Sequence, residues 1–347
     1  MTLEERTGSF AELGQILRDS LEGNNTKYSG ALQNLIETQV LKNPWFTPDN
    51  VRLAVSAIAE ELTPENIGKW VSAYPEIEDP GSPLNIAVVM AGNIPLVGFH
   101  DFLSVLISGN NLLAKPSSRD PDLIKFVAGI LTDINPLFEK RIAFTDTYLK
   151  GFDAVIATGS NNSSRYFDYY FGKYPHIIRK NRNSIAVLTG DESDNEIINL
   201  GKDVFSYFGL GCRSVSKIFI PEGYDPGKLF PLWDEFADII NHHKYANNYD
   251  YNKAVYLVNR ESFRDTGYLL LKENESLSSP VAVLYYEYYR EYSQLSRRLE
   301  SLKDKIQCIT GREYIPFGKA QSPHLWDYAD GIDTIEFLSK KIFTGLL

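Results

Sequence analysis

The sequence predicts an α/β protein, with a helical N-terminal segment followed by short apolar strands that alternate with helices. Three observations predict it. Apolar residues recur at helical spacing over about the first 75 residues. Runs such as LNIAVVMAG and FDAVIATGS lack polar alternation and so suit strands covered on both faces. Longer amphipathic segments follow these runs, which is the grammar of a parallel sheet.

FAELGQILRDSL and VRLAVSAIAEEL are the first helices. Thr63-Pro64-Glu65 places Pro at a first helical position behind a Thr cap. EDPGSP, 78–83, is a turn cluster and a linker. Then come the strand LNIAVVMAG, the helix PLVGFHDFLSVLIS, the turn–strand–turn GNNLLAKPS and the helix PDLIKFVAGILTDI. FDAVIATGS is the next strand, NNSSRYFDYYFG a helix, and SIAVLTGD closes the first series of strands. In the second half SVSKIFIP, KAVYLVN and PVAVLYYEYY read as strands, and FPLWDEFADIINHH and EYSQLSRRLESLKDKI as helices. No internal repeat or low-complexity tract is visible. A boundary falls near 190–200.

At 347 residues the chain is long enough for two domains. A net charge of −10 argues against a nucleic-acid surface, which would need a basic stripe. The start MTLEERTGSF has neither a basic n-region nor an apolar run, and no stretch reaches the roughly 18 apolar residues of a membrane span. The two cysteines make no disulfide framework, and a reducing cytoplasm is expected. No His/Cys cluster has metal spacing.

Ligands of parallel α/β sheets bind beyond the carboxyl ends of the strands, where three loops fall: AGNIP (91–95), AKPSSRD (114–120) and ATGSNNSSR (157–165). The last follows a strand and opens a helix, so it reads either as an anion cradle or as an ordinary capped turn. Lys115 and Arg119 read as cofactor cations or as solvated loop charges. In FGLGCRSVSKIFIP, Cys212 follows Gly-Leu-Gly at the mouth of a strand. It is either a small core thiol or a nucleophile in an electropositive turn beside Arg213.

The order GNIP, AKPS, ATGS, GLGCRS resembles the aldehyde dehydrogenase superfamily. More narrowly, NIPLVGFHDFLSVLISGNNLLAKPSSRD, GFDAVIATGSNNSSRYFDYYFGKYP, GLGCRSVSKIFIP and YADGIDTIEFL resemble the LuxC-type long-chain acyl reductases, over roughly residues 80 to 340. The resemblance implies an aldehyde-dehydrogenase-like fold of two Rossmann-like α/β domains behind the N-terminal helices. A cofactor domain would span 1–195, with 325–347 folding back onto it, and a catalytic domain 196–324. It implies Cys212 as the acyl-accepting nucleophile, with the Asn93 amide and the Cys212 N–H as the oxyanion hole. It also implies Lys115 at the adenine ribose, and Gly159 and Ser160 beside the pyrophosphate. Acyl-CoA or an acyl-protein donor would supply the acyl group, with an acyl-protein synthetase as a candidate partner. A homo-oligomer is left open, since the chain is shorter than many members of the superfamily.

Two departures from the superfamily pattern are informative. Oxidising members carry a glutamate base some thirty residues ahead of the cysteine; by register Arg179 stands there, 33 residues before Cys212. A reductase must avoid thioester hydrolysis, so the missing base fits acyl reduction. NAD-preferring relatives read Lys-Pro-x-Glu where this chain reads Lys115-Pro116-Ser117-Ser118-Arg119, which favours the 2′-phosphate of NADPH. The expected function is therefore NADPH-dependent reduction of a long-chain acyl thioester to the aldehyde. The alternatives are an aldehyde-oxidising dehydrogenase, a silent relative in a lipid-synthesis complex, and a glutamyl-phosphate-type reductase. Among the histidines, His100 reads as a core residue, His176 as structural, and His242-His243 as surface charge near a helix end.

Overall fold

The computed structural model describes residues 1–24, 26–78, 81–159 and 161–339, the side chains of 161–164 excepted. Its contacts divide the chain into two compact units, 1–181 with 324–347, and 182–323. The second unit is thus an insertion in the chain of the first.

The first unit opens with helices α1 (Leu3–Leu21), α2 (Ser29–Lys42), α3 (Pro48–Glu61) and α4 (Pro64–Val71). A Thr2–Glu5 capping box starts α1, and Thr47 and Thr63 cap α3 and α4 ahead of Pro48 and Pro64, the second as expected from Thr63-Pro64. Five strands follow: β1 (Asn85–Val89), β2 (Asn111–Lys115), β3 (Ile142–Phe144), β4 (Ala154–Thr158) and β5 (His176–Arg179). They form one wholly parallel sheet in the order β3-β2-β1-β4-β5. Helices α5 (Phe99–Ile107), α6 (Asp122–Ile134) and α7 (Asn161–Phe171) connect them. The order reverses at β1, so the loops after β1, β2 and β4 open side by side at a topological switch point. Ile86, Ala87 and Val88 are almost wholly buried, in keeping with a strand covered on both faces.

The second unit holds β6 (Asn183–Val187), α8 (Asp194–Phe205), β7 (Val215–Pro221), α9 (His243–Val258), β8 (Arg264–Asp265), β9 (Leu270–Glu273), β10 (Val283–Tyr289), α10 (Tyr292–Leu302) and β11 (Ile306–Thr310). Its sheet runs β11-β6-β7-β10-β9-β8, parallel except for β8 against β9. The strand SIAVLTG, expected to close the first domain, thus belongs to the second sheet, between β11 and β7, and the compact units part at 181/182 where the sequence suggested 195/196. The returning segment carries α11 (Thr334–Leu338), whose Ile335 and Leu338 join the first unit's core.

Two expected elements differ in type. KAVYLVN lies in α9, whose buried residues Tyr245, Tyr249, Asn252 and Tyr256 recur at helical spacing while Leu257 and Val258 are exposed. FPLWDEFADIINHH yields a 3-10 helix over Pro231–Asn241, because Phe230, Trp233, Phe236 and Ile239 recur every three residues.

Candidate active site

In the first unit the loop after β1 presents Asn93, an exposed residue, directly after buried Gly92. A Cβ at position 92 would lie 2.5 Å from Ser117 Oγ, so only glycine lets this loop approach the one after β2. The second loop carries half-buried Lys115 and Ser117, with Ser118 and Arg119 exposed. Ser117 Oγ accepts from the Arg119 N–H at 3.2 Å, and Ser117 O from the Asp120 N–H at 3.0 Å. Gly159, half-buried, directly follows β4 at the same sheet edge; Ser160 lies outside the described residues.

Asp120 closes this loop, and the motif reading passed over it. Its Oδ2 accepts from the Leu96 N–H at 2.8 Å, on the loop of Asn93. Burial outweighs that hydrogen bond and raises its carboxyl pKa to about 6. The available signal was an acid directly ahead of Pro121 at a helix start.

In the second unit Tyr207, Phe208 and Gly209 all adopt left-handed backbone, with φ of 53°, 58° and 74°. Only the glycine does so without strain. Phe208 is held by stacking on His242, ring centroids 4.3 Å apart. His242 also caps α9, accepting from the Tyr245 N–H, so it is a structural group of this turn rather than the surface charge expected. The chain then leads to Gly211 and Cys212. The Gly211 N–H donates to Ser214 Oγ at 3.2 Å, and the Ser214 N–H to Gly211 O at 3.0 Å, closing a turn around the cysteine. The Cys212 carbonyl accepts from Ser184 Oγ at 2.8 Å. Cys212 is exposed and Cys308 buried.

The turn is braced from below. Asp203 on α8 accepts from the Gly318 and Ala320 N–H groups at 2.7 and 3.0 Å. The same segment receives Arg213 Nε at Ala320 O, 2.5 Å away, and sends Gln321 Nε2 to Ser214 Oγ at 3.1 Å. Neither Asp203 nor Ser184 has a motif that would have marked it in the sequence.

Arg179, at the end of β5, is buried. Its guanidinium donates to Asp101 Oδ1 at 2.6 Å, Thr334 Oγ1 at 2.9 Å and Ala329 O at 2.6 Å. It joins β5, α5 and the returning segment. His100 bonds Leu325 O at 2.8 Å against Trp70 and Tyr328, a core role as expected. His176 is exposed and bonds Tyr174 O.

This architecture, one α/β unit inserted in the chain of another, is similar to that of solved aldehyde dehydrogenases. Aldehyde dehydrogenase 21 from Physcomitrella patens, in complex with succinate, superposes with a TM-score of 0.64 at 13% identity, covering 96% of this chain and 79% of that one. An aldehyde dehydrogenase from Bacillus cereus in complex with NAD+ gives 0.59 at 12%, covering 89% and 72%. An NADP-dependent enzyme of E. coli gives 0.60 at 10%, covering 89% and 73%. No curated protein sequence matches the chain. Residues 68–230 match the family described as acyl-CoA reductase (LuxC). Residues 68–230 are thus similar to the LuxC acyl-CoA reductases, and the fold is that of solved aldehyde dehydrogenases.

Proposed function

We propose that the protein reduces a long-chain acyl thioester, acyl-CoA or an acyl-protein donor such as an acyl-protein synthetase, to the aldehyde with NADPH, in a reducing cytoplasm. The observation that carries the reading is the exposed Cys212 on a strained, braced glycine turn. A thiol held in this way is available to a substrate, whereas a structural cysteine is buried like Cys308.

The first unit is the cofactor domain in this reading. The groups at its sheet edge fit the cofactor by their chemistry. Lys115, Ser117, Ser118 and Arg119 offer cations and hydroxyls, and the acid of the loop, Asp120, is turned inward to Leu96. Such a donor set suits ribose hydroxyls and a 2′-phosphate. Gly159 and Ser160 would lie beside the pyrophosphate. Bound there, NADPH supplies the hydride.

The chain's own residues do the covalent work. The Cys212 thiolate attacks the thioester carbonyl, the carbon–sulfur bond of the donor breaks, and CoA leaves as its thiol. Asn93 and the Cys212 N–H hold the oxyanion, an interaction of about 3 kcal/mol per donor in comparable sites. The acyl group stays on Cys212 in this reading because the position expected for a water-activating base is held by an arginine. Arg179, at the register position of that base, is committed to Asp101. The aldehyde departs and the thiol is regenerated. The aldehyde-oxidising alternative requires a base at that position and is disfavoured by the same pair.

The test is to mix the protein with radiolabelled long-chain acyl-CoA, first without and then with NADPH. Label on Cys212 that chases into aldehyde is the expected result. Absence of label from every donor, or full activity in Cys212→Ser, sinks the reading.

A further inference from the structure

Asp120 sits where two loops of the first unit meet, and four observations set it apart. It is 5% exposed. Its Oδ2 holds the Leu96 N–H at 2.8 Å. Leu96 is a buried residue in left-handed backbone, φ 56°, which a non-glycine residue keeps only when its surroundings hold it. Asp120 Oδ1 is buried, and besides Leu96 the Leu123 N–H is the other backbone group that favours its anion. Burying this carboxylate costs more than its backbone hydrogen bonds return, and its pKa of about 6 reflects that cost. The backbone hydrogen bond alone does not require the charge.

The consequence is mechanical. From Asp120 the chain runs back through Arg119 and Ser117 to Lys115. From Leu96 it runs back to Asn93, past Gly92, which lies against Ser117. The carboxylate therefore fastens the loop of the oxyanion amide to the cofactor loop at one end, and the Gly92–Ser117 contact fastens them at the other. Asn43 Nδ2 supports the Gly92 carbonyl from α2.

We propose that Asp120 is a positioning residue that makes the Asn93 loop and the Lys115–Arg119 loop one body, so that a ligand bound to the second also fixes the first. This rests on the acyl-reductase reading for the roles of Asn93 and Lys115. The tie itself can be measured without any turnover.

The first measurement is hydrogen exchange of the full wild-type chain with and without NADPH. Protection is expected in the peptides that cover 91–98 as well as 115–120. In Asp120→Ala, NADPH is expected to protect 115–120 alone and to bind about tenfold more weakly. Acylation of Cys212 by acyl-CoA should slow roughly 10- to 100-fold, the scale of a displaced catalytic group. Alkylation of Cys212 by iodoacetamide should be unchanged. Asp120→Asn keeps an acceptor for Leu96 and should recover both binding and acylation to within a few fold. NADPH protection confined to 115–120 in the wild type would overturn the proposal. So would an Asp120→Ala variant that acylates and binds at wild-type levels, or an Asp120→Asn variant as impaired as Asp120→Ala. If wild type takes no acyl label yet NADPH protects both loops, the acyl-reductase reading fails and the tie stands. The wild-type and Asp120→Asn arms decide the matter even where Asp120→Ala does not fold.

Discussion

Arg179 Nη2 donates to Asp101 Oδ1 at 2.6 Å, and both side chains are buried. The pair also anchors Thr334 and Ala329 of the returning segment. Removing one partner leaves a buried charge alone, a loss of about 3–5 kcal/mol. Arg179→Met is therefore expected to lower the unfolding free energy from urea melts by that amount and to open the 329–334 segment to protease. The double variant Asp101→Leu/Arg179→Met should regain much of the stability. Arg179→Glu places two acids together and is expected to unfold the first unit, not to create a hydrolase. Thioesterase activity in a folded Arg179→Glu would contradict this.

The cysteine turn makes a second prediction. At Gly209, with φ 74°, an added Cβ meets only Val204 O at 3.6 Å, an ordinary contact. The cost of Gly209→Ala is then conformational, about 1–2 kcal/mol. Gly223 has φ 88° and open space around it, so Gly223→Ala should cost a similar amount. Only the first substitution is expected to slow acyl transfer to Cys212. Equal acylation rates in two equally destabilised variants would show that the turn does not set the nucleophile.

Much of this architecture was legible because its signals are local. Thr63-Pro64, the apolar run of β1 and the glycine turn before Cys212 each carry their own chemistry. Strands β3 and β5 gave no such signal, since their three and four residues become strands only by pairing with β2 and β4. The 3.6-residue period used to read helices hid the 3-10 helix over 231–241, whose period of three is set by packing on α8 and its neighbours. Among the candidate site residues, Cys212, Asn93 and Lys115 were visible as members of ordered motifs. Asp120, Ser184 and Asp203 were not, because each acts by a hydrogen bond to backbone distant in sequence.

The cofactor loop predicts a specificity change. If Arg119 and the two serines hold a 2′-phosphate, Arg119→Ala should raise the KM for NADPH about tenfold and leave kcat nearly unchanged, since it removes binding shared by ground and transition states. Ser118→Glu should repel the phosphate and improve the ratio of NADH to NADPH use. Steady-state kinetics with both cofactors measures this. An unchanged cofactor ratio in both variants would place the phosphate elsewhere.

Two carboxylates of the second unit should give opposite pH signatures. Burial raises Asp203 to about 6, despite the Gly318 and Ala320 N–H groups that favour its anion. The folded state then binds more protons than the unfolded chain between about pH 4 and 6, so the stability that Asp203 contributes is highest below that window and falls as pH rises through it. Asp203→Ala should accordingly cost more at pH 4.5 than at pH 7.5, by about 2 kcal/mol. Glu196 runs the other way. The guanidinium of Arg312 and the Ser193 N–H hold it down to about 2, so its contribution is present above the ordinary carboxylate range and is lost as pH falls towards 2. Glu196→Gln should cost more at pH 7 than near pH 2.5. Chemical melts of the three proteins across pH resolve both slopes. A pH-independent difference between wild type and Asp203→Ala would mean that this carboxylate ionises as freely in the folded protein as in the unfolded chain.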